Sequence, residues 1–133
     1  SDVCSSDLII PEPKVIDGSR LDFLLKSKGE KSCFIEVKSS TLSRIPNISE
    51  FPDSVTSRGS KHLSLLANLK NNGFRAIQIY LIQRNDTNCF KIAKDIDHQY
   101  FKTFQIAKKS GVEILILQSL LSYDGIELSK KRL

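Results

Sequence analysis

No apolar run in the 133-residue chain approaches the roughly eighteen residues needed to span a bilayer, so no membrane helix is read from it. The opening residues do not combine a basic start with an apolar middle, so no secretory signal is read there and the expected compartment is the cytoplasm. Cysteine is scarce. Cys4, Cys33 and Cys89 form neither a metal-ligand spacing nor an even disulfide set, and nothing argues for an oxidising compartment. Cys33 opens an apolar stretch and reads as a small buried hydrophobe. Histidine is scarcer still, at His62 and His98, with no close His/Cys/Asp cluster, which argues against a zinc hydrolase. There is no G-x-S-x-G and no glycine-rich phosphate loop, and no internal repeat or low-complexity tract.

What remains is an ordinary folded-protein composition: 40% hydrophobic, 26% charged, with a formal net charge of +5. The length fits one domain with a modest core. The basic surplus favours polyanions, weakly, because many proteins with no nucleic-acid role are as basic. Residues 1–8, Ser1 to Leu8, have no hydrophobic period and back-translate onto a common sequencing-adapter oligonucleotide. They are expected to be an assembly scar, with the natural N-terminus missing, and residues 9–133 to be the folded domain. Excluding them removes Asp2 and Asp7 and makes the chain more basic.

Pro11 and Pro13 argue against a regular helix over Ile9–Ile16, and Asp17-Gly18-Ser19 is a turn signal. Leu21–Leu25 reads as a strand, Lys26–Lys31 as a polar hairpin loop with Gly29, and Cys33–Lys38 as a second strand. Alternation puts Cys33, Ile35 and Val37 on one face and Phe34, Glu36 and Lys38 on the other. Ser39–Asp53, with Pro46 and Pro52, reads as a long polar connection, either functional or mobile. From Thr56 to Asn72 the pattern is helical: Leu63, Leu66, Ala67 and Lys70 recur at three-and-four spacing, and Asn71-Asn72-Gly73 stops it. Phe74–Gln83 reads as a central strand, Asn85–Asn88 as a loop, and Asp97–Ser110 as a helix closed by Gly111. Val112–Leu117 is an apolar strand, Leu120–Leu128 a terminal hairpin around Asp124-Gly125, and Lys130-Lys131-Arg132 a solvated basic tail. The order predicts an α/β sheet with helices packed on its faces.

Three residues carry the chemistry. Asp22 is a charge at the start of an apolar strand, and the alternative is a strand-end carboxylate bonded to a turn. Glu36 and Lys38 share a face inside a strand otherwise fit for burial, where a lone charge costs several kcal/mol. The alternative there is a buried ion pair or an exposed edge. A short hairpin brings Asp22 beside Glu36, and two close carboxylates repel unless a cation lies between them. A hard divalent ion, Mg²⁺ or Mn²⁺, suits Asp22, Glu36, the Val37 carbonyl and water as ligands. Such an ion lowers the pKa of bound water and stabilises charge on a phosphorane. Lys38 would hold or deprotonate the attacking water, or contact the scissile phosphate.

Ser19-Arg20-Leu21-Asp22-Phe23-Leu24-Leu25, Ile35-Glu36-Val37-Lys38-Ser39-Ser40-Thr41-Leu42 and the string from Phe51-Pro52-Asp53 to Arg58-Gly59-Ser60-Lys61-His62-Leu63 together closely resemble the sugar fermentation stimulation protein A family of bacteria and archaea. Ile96-Asp97-His98-Gln99-Tyr100 and Gly111-Val112-Glu113-Ile114-Leu115 match it as well, so the resemblance runs from about Glu12 to Leu128. It implies a restriction-endonuclease-like PD-(D/E)XK fold, a mixed central sheet flanked by helices, and a DNA or RNA nuclease or DNA-binding protein tied to sugar (maltose) utilisation. It also implies an N-terminal OB-like nucleic-acid domain, which is expected to be missing from residues 1–133. Glu12 stands where an upstream glutamate assists the metal in that superfamily. Ser40 replaces a usual valine, and Ser57 a usual glutamate, which puts a role for position 57 in doubt.

Within this resemblance Arg58, Lys61 and His62, at i, i+3 and i+4, would face the metal and the phosphate backbone. The alternative is a solvated cationic helix face. Asp53 would be a further site carboxylate or a helix cap, and Thr41 would bond a phosphate or close the turn after its strand. The expected partners are DNA, RNA or both, and no membrane; a homodimer is compatible with a sequence that shows no oligomeric state. Three functions compete: a Mg²⁺-dependent nuclease, a DNA-binding regulatory protein that keeps the fold without cutting, and an unrelated metal phosphohydrolase acting on small substrates.

Overall fold

The structure, a computed structural model, describes residues 8–14, 19–122 and 125–130, the last stretches (120–122 and 125–130) by their backbone. Residues 1–7 of the expected scar, the Asp17-Gly18 turn, Asp124 and the residues after Lys130 lie outside these, while Leu8, its last residue, is described.

The hairpin reading holds around its loop. Strand β2, Phe23–Lys26, pairs antiparallel with β3, Cys33–Ser40, and Gly29 in the loop takes φ 80°, a conformation open to glycine. The segment with Pro11 is an extended edge rather than irregular chain. β1, Leu8–Pro11, pairs antiparallel with β2, and proline is tolerated there because an edge strand leaves N–H positions unpaired.

Ser39–Asp53 is not a loop. It holds β4, Leu42–Ile45, and β5, Asn47–Phe51, an antiparallel pair. They turn at Pro46-Asn47, where proline fixes one φ and Asn47 adopts φ 73°. After a cis Phe51–Pro52 peptide comes α1, Ser57–Asn71, capped by the Thr56 hydroxyl, which accepts the Gly59 N–H at 3.0 Å. Asp53 is therefore not the cap.

β6, Arg75–Ile82, is the predicted central strand. The loop expected at Asn85–Asn88 runs instead into β7, Thr87–Ile92, which lies parallel beside β5. Then α2, His98–Ser110, begins at the Asp97 cap and ends on Gly111 with φ 105°. β8, Glu113–Ser122, runs further than predicted and folds back antiparallel onto β9, Gly125–Lys130.

Six strands form one mixed sheet in the order β1-β2-β3-β6-β8-β9, with β3, β6 and β8 mutually parallel. Three more form a small sheet, β4-β5-β7. The alternation in β3 is as read from the sequence. Cys33, Ile35 and Val37 join Leu25 and Ile77 in one apolar cluster, while Phe34 joins Leu63, Leu66, Tyr80, Tyr100, Phe104 and Ala107 in the main core. Both helices thus pack on the face that carries Glu36 and Lys38. Fully burying side chains such as Leu63 and Leu66 contributes about 1.5–3 kcal/mol each. Aromatic rings fill the centre, with Tyr80 stacked against Phe51, Phe90 and Phe104. No helix among the described residues is long and apolar enough to cross a membrane.

Candidate active site

Strand β3 carries Glu36 into the interior under α1, and the residue is only 2% exposed. A buried carboxylate needs several partners. Glu36 Oε1 accepts the backbone N–H of Asp22 at 3.1 Å, and Oε2 lies 2.8 Å from Lys38 Nζ and 2.7 Å from His62 Nδ1. Asp22, half-buried just before β2, is tied to the same strand, its Oδ2 accepting the Val37 N–H at 2.7 Å. The two carboxylates sit side by side across the β2–β3 pair, as the sequence predicts. Glu36 is held by Lys38, His62 and the Asp22 N–H, and Asp22 by the Val37 N–H.

Of the three residues expected on one side of α1, His62 is 4% exposed and turned onto Glu36, while Arg58 and Lys61 are exposed. Its neighbours Leu63 and Leu66 point into the core, and the helix turn brings position 62 in with them. Burial lowers the imidazole's pKa; the Glu36 carboxylate opposes this, and Lys38 and Arg58 add to it. A neutral imidazole carries one N–H, and at 2.7 Å from a carboxylate oxygen that proton belongs on Nδ1. Lys38 Nζ, 3.1 Å from Nδ1, then converges on the same Glu36 oxygen beside a second donor.

Ser19, Arg20, Ser57, Arg58, Lys61 and His62 line a concavity of about 570 Å³ next to this centre. Arg20, which sequence reasoning did not single out, thus joins Arg58 and Lys61. Its signal was only its position, two residues before Asp22.

The other expected residues fall further out. Glu12 has an exposed side chain, but its backbone N–H donates to the Asp22 carbonyl at 2.8 Å, so the chain at Glu12 runs alongside Asp22. Thr41 is exposed at the end of β3, where its carbonyl accepts from Arg84 Nη1 at 3.0 Å. Asp53 is exposed and accepts a long 3.5 Å bond from Ser54 Oγ. Sequence reasoning also missed Gln78, a fully buried residue paired in register with Glu36. Its Nε2 donates to the Glu36 and Ile79 carbonyls at 3.3 and 3.1 Å, and its buried Oε1 has no hydrogen-bond partner among the described residues. The available signal was one amide inside an otherwise apolar strand. Cys33 is inert: burial pushes its thiol up to about 11.

The donor set at Asp22, Glu36 and the Val37 carbonyl is all oxygen, which fits Mg²⁺, Mn²⁺ or Ca²⁺ and not zinc. Among the described residues no group of three or more His, Cys, Asp or Glu side chains is placed to hold a metal. A divalent ion would therefore take the two carboxylates and the carbonyl and complete its shell with water.

Residues 2–125 match the family model described as the sugar fermentation stimulation protein RE domain. The chain is 47% identical over 123 residues to the sugar fermentation stimulation protein homolog of Ruegeria pomeroyi, covering 92% of this chain and 54% of that one. It is 39% identical over 130 residues to the homolog of Pelagibacter ubique, covering 98% and 56%. The solved structure of Pyrococcus furiosus SfsA in complex with Ca²⁺ superposes with a TM-score of 0.80 at 29% identity, over 91% of this chain and 51% of that one. The chain spans about half the length of the curated relatives it matches.

Proposed function

This chain belongs to the sugar fermentation stimulation protein family, and on that footing we propose that it is a metal-dependent phosphodiesterase domain that cuts DNA, RNA or both. The observation that carries the reading is the buried Glu36 carboxylate, held by the Asp22 backbone, Lys38 and His62 at the edge of a concavity lined by Arg20, Arg58 and Lys61. Asp22, Glu36 and the Val37 carbonyl would hold Mg²⁺ or Mn²⁺, with Glu12, whose backbone runs beside Asp22, to assist. The Ca²⁺ named with the Pyrococcus furiosus relative supports a hard divalent ion at this fold. Such an ion would lower the pKa of bound water and stabilise charge on the phosphorane.

The chain's own residues do the rest. Lys38, held 2.8 Å from Glu36, is placed to orient the attacking water or to contact the scissile phosphate. His62 fixes the same Glu36 oxygen beside Lys38. Arg20, Arg58 and Lys61 hold backbone phosphates. A cytoplasmic nuclease of this kind, monomer or homodimer, would bear on sugar utilisation through the nucleic acid it processes.

A second reading has its own support: Lys38 already serves as the counter-ion of Glu36, which is what a DNA-binding protein that keeps the fold without cutting would retain. One assay separates them. Single- and double-stranded DNA and RNA are incubated with the protein in Mg²⁺ or Mn²⁺, with Asp22→Ala and Lys38→Ala as controls. Metal-dependent cleavage lost in both variants supports the nuclease. Equal cleavage by all three proteins sinks it, and binding without turnover selects the second reading.

A further inference from the structure

The small sheet and α2 enclose a second groove, of about 1070 Å³, that shares no lining residue with the Asp22–Glu36 centre. That is slightly above the roughly 300–1,000 Å³ of small-molecule pockets. Four lysines, Lys91, Lys94, Lys108 and Lys109, stand around it, and Phe101 and Phe104 form part of its floor. All four lysines are exposed and Phe101 is half-buried. The two acids that line it, Glu50 and Asp95, are both bound by one guanidinium, Arg44, at 2.7–2.9 Å. Five cations against two acids leave the groove net positive, with Arg44 shared between both acids and Lys91 Nζ 3.9 Å from Glu50 Oε1. Lys94 Nζ lies over the Phe101 ring, 5.6 Å from its centroid, so a cation covers that ring face, and it opens to a flat ring once the lysine side chain swings aside.

Lysines over an aromatic and aliphatic floor suit a ligand that offers spaced phosphates and unpaired flat rings together. A duplex offers the phosphates with its bases stacked inside. A single strand offers both. We propose that this groove is a binding track for single-stranded DNA or RNA, a second site that holds strand flanking the cut or released by it. The proposal rests on the reading that the protein acts on nucleic acid.

The test is fluorescence anisotropy with labelled 12-nucleotide single strands of DNA and RNA and a 12-base-pair duplex, in Mg²⁺, with Asp22→Ala as the parent so that nothing is cut. Lys91→Gln/Lys108→Gln is expected to weaken single-strand binding about tenfold or more at 100 mM salt and to lower the slope of log K against log salt by about 1.4, at about 0.7 per phosphate contact. The matched change Lys26→Gln/Lys31→Gln, at the β2–β3 hairpin, is expected to cost no more than about twofold. Phe101→Leu keeps the packing and removes the ring; it is expected to weaken single-strand binding about fivefold while leaving the salt slope alone. Tight binding by the parent with equal binding by both groove variants overturns the groove proposal and leaves the nuclease reading standing. Groove variants that lose duplex and single strand equally, with Phe101→Leu harmless, overturn the single-strand assignment. No binding of any strand by the parent overturns the functional reading, and the groove with it.

Discussion

Asp22 and Glu36 hold each other through the backbone: the Asp22 N–H donates to Glu36 Oε1 at 3.1 Å, while the N–H of Val37, next to Glu36, donates to Asp22 Oδ2 at 2.7 Å. Each carboxylate thus positions the strand that bears the other. Neither can move without disturbing its partner, which is the rigidity a metal-binding pair requires.

Glu36→Gln keeps the size and an acceptor for the Asp22 N–H but removes the charge that holds Lys38 and His62 together. Activity is expected to fall more than about 100-fold, beyond what changes in outer-shell partners of a metal cost. Stability is expected to fall by about 1–3 kcal/mol, from two buried donors left with a weaker acceptor. Cleavage assays and urea unfolding read the two effects separately. Activity within a fewfold of the parent would remove Glu36 from the centre.

Gly59 lies in the first turn of α1, where replacing glycine by alanine ordinarily gains up to about 1 kcal/mol of helix propensity. Here a Cβ would stand 2.9 Å from Thr56 Oγ1 and 3.1 Å from Tyr100 Cε1, inside the cap and against α2. Overpacking costs about 1–3 kcal/mol, so the sign reverses and Gly59→Ala is expected to destabilise. A higher urea midpoint for Gly59→Ala would show that the helices can part at that point.

The strand faces around Glu36 were legible because β3 alternates strictly and its neighbours obey the same period. Both helices were legible from three-and-four spacing and their stops. The small sheet was not, for a reason visible in its interior. Where apolar side chains would mark a strand, it buries Ser49 against Thr87, with hydroxyls 2.6 Å apart, and Glu50 against Arg44. Ser40 Oγ donates to the Glu50 carbonyl at 2.7 Å, and Gln118 Nε2 to the Thr87 carbonyl at 3.0 Å, joining this sheet to the large one. Those polar side chains hide the period in β5, although β7 beside it buries Phe90 and Ile92. For His62 the sequence leaves two readings open, facing the centre or solvated, and only the fold shows the carboxylate that draws it inward.

Asp97 links the starts of both helices, accepting the Tyr100 N–H at 3.0 Å as the cap of α2 and the Thr56 N–H at 2.8 Å just before α1. Asp97→Ala removes a cap, about 0.5–2 kcal/mol, and strands a second N–H, about 1–3 kcal/mol. A total loss of about 2–4 kcal/mol in urea unfolding is expected, with Asp97→Asn recovering part of it. Since α1 carries His62, Arg58 and Lys61, the alanine variant is also expected to weaken nucleic-acid binding; unchanged stability would place the junction's strength elsewhere.

The Arg44 triad sets the acid limit of the small sheet. Its guanidinium holds Asp95 down to about 2 from an ordinary 3.8 and lowers Glu50 as well. Both carboxyls are depressed in the folded state, so their contribution is full above the unfolded values, near pH 4. It is lost as pH falls through the folded ones, toward 2. Carboxyl resonances followed by NMR are expected to give Asp95 a midpoint near 2, moving back toward 3.8 in Arg44→Ala. That variant leaves Glu50, which is 1% exposed, with only Lys91 Nζ at 3.9 Å as a counter-charge, so its urea midpoint at neutral pH should drop. The drop should shrink as pH falls from 5 to 3, because a protonated Glu50 no longer needs its partner. A drop that is constant across that range would mean that Arg44 stabilises the sheet by packing and not by charge.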